Sequence, residues 1–162
     1  MDIVDHYQQR RLSQLPRVTM QYISYGDMRN AAGHAREKND CAVIAYSLVA
    51  DVSYNTAHEA LAALGRKVRR GCHFAPMANA LDLYQRADLA SMRLYKVMQS
   101  MQSGRYVLRV RGHACAVIDG QVYDCSEPRP TALVQMIYQY SASGALDARG
   151  NTLEQQGERH GA

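Results

Sequence analysis

The stretch Arg111 to Asp124, RGHACAVIDGQVYD, decides how this chain is read. Asp119-Gly120 stands between two apolar runs. A two-residue type I′ turn needs positive φ at both central positions, and Asp-Gly is one of the few pairs that tolerate it. The spacing predicts a β-hairpin with strands over 113–118 and 121–124. Ile118 then opposes Gln121, Val117 opposes Val122, Ala116 opposes Tyr123 and Cys115 opposes Asp124. Opposed residues share a face, and so does every second residue along a strand. His113, Cys115, Val117, Val122, Asp124 and Ser126 therefore fall on one face. Asp124 is the diagonal neighbour of His113, at ~7–8 Å between backbone positions, within reach of a His–carboxylate hydrogen bond. Such a bond fixes the imidazole tautomer and stabilises the imidazolium.

Upstream of the hairpin, Tyr106, Leu108 and Val110 alternate with Arg105, Arg109 and Arg111, which predicts a strand from Arg105. Downstream, Val134, Met136, Tyr138 and Tyr140 alternate with Gln135 and Gln139, which predicts another over 131–140. The first half of the chain reads differently. Val18 to Tyr25 predicts a strand, and 26–40 a polar loop. Asn39 and Asp40 are helix N-cap residue types, because a short side-chain oxygen accepts from first-turn N–H groups. Cys41 to Ala50 (CAVIAYSLVA) is apolar nearly all round, which predicts a buried helix. Ser53 caps a second helix over 54–64, and Gly65 stops it. Pro76 can open a third, and a fourth spans about 94–102. Helices come mainly first and an antiparallel sheet second, which argues for the α+β class.

The chain has 162 residues, 47% of them hydrophobic and 21% charged, enough for a self-sufficient core. One domain is expected over 18–140, with an arm over 1–17 and a mobile tail over 141–162. No apolar stretch approaches the ~20 residues of a membrane span. The first residues, MDIVDHYQQRR, lack the apolar segment of a secretory signal. A cytoplasmic location is expected, and with it four reduced cysteines rather than disulfides.

Cys41 at a helix start sits where unpaired N–H groups and the macrodipole favour a thiolate. The alternative role of a free Cys is that of a small buried hydrophobe. A Cys/His metal site from Cys72, His113, Cys115 and Asp124 can be drawn. It lacks the close Cys-x-x-Cys pair of zinc sites, so neither a metal nor another cofactor is expected. The net charge of +4 comes with a basic loop, Arg66, Lys67, Arg69 and Arg70, read as basic surface. That surface permits nucleic-acid contact without requiring it.

The combination of Asn39-Asp40-Cys41 on a buried helix, Gly112-His113-Ala114 opening a hairpin and Asp124 on its second strand resembles the papain-like cysteine hydrolases. The order Cys, His, Asp is that family's. The texts NDCAVIA and RGHACAVIDGQVYD look most like small papain-like proteins of phages and prophages, and the resemblance covers about residues 18–140. It implies that Cys41 attacks an acyl carbonyl, that His113 serves as acid and base and that Asp124 orients it. It further implies a protein or peptide substrate and, for a phage protein, the host cytoplasm. The family usually places a Gln shortly before the Cys to complete the oxyanion hole. Here that region reads HAREKND, and Asn39 or Gln21 is the candidate second donor. A missing donor costs ~10²–10³ in rate. The alternative is a non-catalytic protein that keeps this fold and binds a host protein or nucleic acid through its Arg-rich surface.

Overall fold

A computed structural model of the chain describes residues 17–142. The expected arm and tail, but for residues 17, 141 and 142, lie outside the described residues. The Asp119-Gly120 pair forms the hairpin turn, with φ of 46° and 80°. The strands on either side, His113–Ile118 (β5) and Gln121–Asp124 (β6), pair antiparallel in the expected register: Ala116 with Tyr123, Val117 with Val122, Ile118 with Gln121. The Asp119 carboxylate also accepts from the Gly104 N–H, which ties the turn to the preceding strand's entry.

Around the hairpin a six-stranded sheet is ordered β1-β6-β5-β4-β8-β2. Its other members are Met20–Tyr22 (β1), Leu83–Gln85 (β2), Arg105–Val110 (β4) and Met136–Tyr140 (β8). The sheet is mostly antiparallel. The exception is β1, which pairs parallel with β6 and places Tyr22 opposite Asp124. The predicted single strand over 131–140 is interrupted. Leu133–Val134 (β7) pairs with Met92–Arg93 (β3) in a separate two-stranded sheet, and the Gln135 N–H turns to the Arg109 carbonyl.

The helices are Tyr25–Ala31 (α1), Cys41–Ala50 (α2), Tyr54–Ala63 (α3) and Leu94–Ser100 (α4). α1 occupies part of the segment read as a loop. Its signal was present in Ser24-x-x-Asp27, a capping-box pattern, and the Ser24 hydroxyl accepts from the Asp27 N–H. The third predicted helix, from Pro76, is corrected to turns and a short 3-10 segment, Asn79–Leu81. Asp82 at φ 54° stops it, and Leu83 enters the sheet as an edge strand.

Apolar side chains divide between the two sheet faces. Val107, Ala114, Ala116 and Tyr138 pack with Val43, Ile44 and Val49 of α2 and with Leu61 of α3. Leu108, Cys115, Val117, Val122 and Ile137 pack with Leu94, Val97 and Met98 of α4. α2 is buried on nearly every side, which explains its lack of a polar stripe. Its N-terminus meets the end of β5 where His113 begins the strand, and this meeting point creates the site.

Candidate active site

Cys41 is the first residue of α2, partly buried, and Asp40 is the N-cap. Asp40 does not cap through its side chain. It is buried, and its Oδ2 accepts from Arg29 Nε and from the Tyr54 hydroxyl, both at 2.8 Å. These bonds fasten the residue before Cys41 to α1 and α3. Asn39 precedes it at φ 53°, a left-handed conformation that Asn adopts more readily than most residues.

His113 and Asp124 meet across the hairpin diagonal. The His113 Nε2–H donates to both carboxylate oxygens, at 2.9 and 2.8 Å. A carboxylate only accepts, so this contact assigns the proton to Nε2 and leaves Nδ1 for the thiol. Asp124 is buried and takes two further donors, the Tyr25 hydroxyl at 2.9 Å and the Cys125 N–H at 2.7 Å. The Tyr25 ring also stacks near the imidazole, with centroids 6.4 Å apart. Tyr25 is a site residue that the sequence reading missed, because it comes 99 positions before its partner.

The charges of the three groups depend on one another. Burial raises the Cys41 thiol, but hydrogen bonds from the His113 side chain and the Ala114 N–H, the imidazolium charge and the Ala42 N–H outweigh it. The thiol is held below its ordinary value. Hydrogen bonds to Asp124 and then to Cys41 outweigh burial at His113 and raise its pKa to about 10. Burial also raises Asp124, yet the bond from His113, its charge and the bond from Tyr25 hold the carboxyl below its usual range. All three shifts run in the direction of a thiolate, an imidazolium and a carboxylate. Cys115, on the α4 face of the same hairpin, is pushed up by complete burial and stays a neutral core thiol.

Cys41 and His113 line a cavity of about 240 Å³. Its other wall consists of Gly71 to Phe74 and Arg109. Cys72 and His73 therefore share the cavity with the thiol. The Arg109 guanidinium donates to His73 Nδ1. The structure does not bring either proposed oxyanion residue to this cavity. Asn39 Nδ2 donates to the Arg69 carbonyl at 3.2 Å, and Gln21 is exposed on β1 opposite Tyr123. The helix-start N–H of Cys41 is the donor that the local geometry provides.

The basic loop divides. Arg66 is corrected from surface to core: its side chain is 1% exposed and pairs with the equally buried Glu37. Glu37 also accepts from His58 Nε2 at 2.7 Å and from the Lys38 and Arg69 N–H groups. Burial raises the Glu37 carboxyl, but these donors outweigh it and bring its pKa to about 2. His34, Glu37 and His58 present ligand-type atoms within 4.8 Å of one another. Arg66 already supplies the positive charge that a metal would bring there. Lys67, Arg69 and Arg70 remain exposed. On β4, Arg105 donates to the Leu48 and Val49 carbonyls at the C-terminus of α2.

Comparison with family models, curated proteins and solved structures finds no match to this chain. Among the described residues no helix is long and apolar enough to cross a membrane.

Proposed function

We propose that this chain is a cysteine hydrolase or transferase of papain-like type, acting on an amide or related acyl bond of a protein or peptide. One observation carries the reading. A helix-start thiol lines the same cavity as an imidazole whose Nε2 is held by a buried carboxylate, and the field of that imidazole lowers the thiol's pKa. A buried aliphatic role for Cys41 requires none of this.

In the reaction the Cys41 thiolate attacks the acyl carbon. A C–S bond forms, and the carbonyl π pair moves to the oxygen, which the Cys41 N–H stabilises. The tetrahedral species collapses, the C–N bond breaks, and the amine leaves with the proton from His113. Water then attacks the thioester while His113 accepts its proton. The C–S bond breaks, and the thiolate and imidazolium are restored. An amine in place of water makes the same site a transferase. Asp124 keeps the ring oriented throughout. This chemistry needs a reduced thiol, and the four cysteines are free. A reducing compartment such as a cytoplasm suits it, a host's cytoplasm if the chain is phage-encoded.

The test is thiol reactivity. Cys41 should label with iodoacetamide near pH ~6, where ordinary thiols are mostly protonated, and His113→Ala should remove the advantage. Labelling at the rate of a free cysteine would overturn the proposal. A second reading, a non-catalytic binder of a host protein or nucleic acid, draws on the exposed Lys67, Arg69 and Arg70 on one loop. Under it, Cys41→Ala keeps full biological activity, and charge reversal at Arg69 and Arg70 weakens that activity in a salt-dependent way.

A further inference from the structure

Five arginines of the described segment are not exposed: Arg29, Arg66, Arg86, Arg105 and Arg109. Four are matched by acceptors that suit a cation. Arg29 pairs with Asp40, Arg66 with Glu37 and Arg86 with Asp88, while Arg105 holds the C-terminal carbonyls of α2. Arg109 differs. Among the described residues it has no carboxylate partner, and its guanidinium contacts an imidazole nitrogen, His73 Nδ1. It also lines the cavity that holds Cys41.

Its position follows from strand parity. Arg105, Val107 and Arg109 share one face of β4, the face covered by α2. Arg105 reaches the C-terminus of that helix, and Arg109 lies one strand over from Ala114, beside its N-terminus. The cavity wall contains no Asp or Glu. A fixed guanidinium, a helix N-terminus and the His113 imidazolium therefore act on one partly enclosed volume, and low-dielectric walls strengthen their combined field.

We infer that Arg109 is the specificity-determining residue of this site and that the substrate carries a carboxylate close to the bond attacked at Cys41. The inference rests on the hydrolase reading and deepens it. A planar guanidinium takes a carboxylate by two parallel hydrogen bonds, which selects orientation as well as charge. The carboxylate has two possible sources with one chemistry: an acidic side chain beside the scissile amide, or a chain terminus.

The test compares two alkylating probes on Cys41, neutral iodoacetamide and anionic iodoacetate. Arg109→Gln should lower the iodoacetate-to-iodoacetamide rate ratio by about tenfold, the low end of what a focused field does to an arriving ion. Arg111→Gln, a neighbouring exposed arginine outside the cavity, should leave the ratio unchanged and so controls for net charge. An unchanged ratio in Arg109→Gln, with Cys41 still reactive toward iodoacetamide, overturns the inference while leaving the hydrolase intact. A Cys41 inert to both probes overturns the hydrolase reading and the inference with it. Protection of Cys41 from iodoacetamide by N-acetylaspartyl methylamide would assign the carboxylate to a side chain. Protection by N-acetylalanine would assign it to a chain terminus, and protection by neither overturns the inference.

Discussion

Among the described residues two histidines meet buried carboxylates, and the two pairs differ in their surroundings. His58 meets Glu37 at 2.7 Å, and His113 meets Asp124 at 2.8 Å. Both carboxyls are held below their ordinary range against the cost of burial. The difference lies in the remaining partners. Glu37 is neutralised by Arg66 and tied by two backbone N–H groups, so it closes a clamp between the loop before α2 and the loop after α3. Asp124 has only neutral donors besides His113, namely Tyr25 and the Cys125 N–H. The positive charge that balances it is the imidazolium itself, and that ring shares a cavity wall with the Cys41 thiol. A His–carboxylate contact is therefore no catalytic signature by itself. The meaning comes from the group on the other ring nitrogen and from the source of the compensating charge.

Removing the thiol or the imidazole should have the largest effect. Cys41→Ala and His113→Ala should each lower kcat/KM by ~10⁴–10⁶, and the double variant should lose no more than either alone, because the pair acts as a unit. Steady-state rates on any amide the protein turns over check this. Additive losses would show that the two groups work independently. Both variants should fold, since neither removes a large core side chain.

Asp124→Asn comes next, with a loss of ~10²–10⁴ in rate through the wrong tautomer. Its pH profile distinguishes orientation from simple structure. The alkaline limb of the parent, set by His113 near pH 10, should move down toward the ordinary imidazole value of ~6.5. The same link appears in stability. His113 is raised in the fold, so its contribution is complete below the unfolded imidazole value of ~6.5 and is lost as pH rises through about 10. Asp124 has the opposite sign. It contributes above the unfolded carboxyl value of ~3.9 and loses that contribution as pH falls below it. Denaturant titrations across pH, with and without the substitution, measure both limbs.

Glu37→Gln should cost about 3–5 kcal/mol of stability, because it leaves the Arg66 guanidinium buried without its partner. The pH dependence of Cys41 labelling should stay as in the parent. A shifted labelling profile at unchanged stability would collapse the distinction between the two pairs. The smallest change is expected from Tyr25→Phe, which removes one neutral donor from Asp124 and should cost about 1 kcal/mol by thermal or chemical denaturation.

The sequence by itself determined what depends on neighbours along the chain. Asp-Gly specified the turn, the period of two specified the strands, and together they placed His113 on the diagonal from Asp124. The apolar run after Asp40 placed Cys41 on the first turn of a buried helix. Ser24-x-x-Asp27 was equally local, and reading its cap would have revealed α1. What only the tertiary structure decided depends on residues far apart in the chain. Nothing local distinguishes Arg66, which goes into the core because Glu37 waits there 29 positions earlier, from its exposed neighbours Lys67, Arg69 and Arg70. Nor does β-alternation reveal that Arg105 and Arg109 lie under the two ends of one helix, or that β1 joins β6 in parallel and brings Tyr25 onto Asp124. Periodicity assigns a side chain to a face. Only the packing of distant segments determines whether that face meets solvent, a carbonyl, a carboxylate or the cavity beside a thiol.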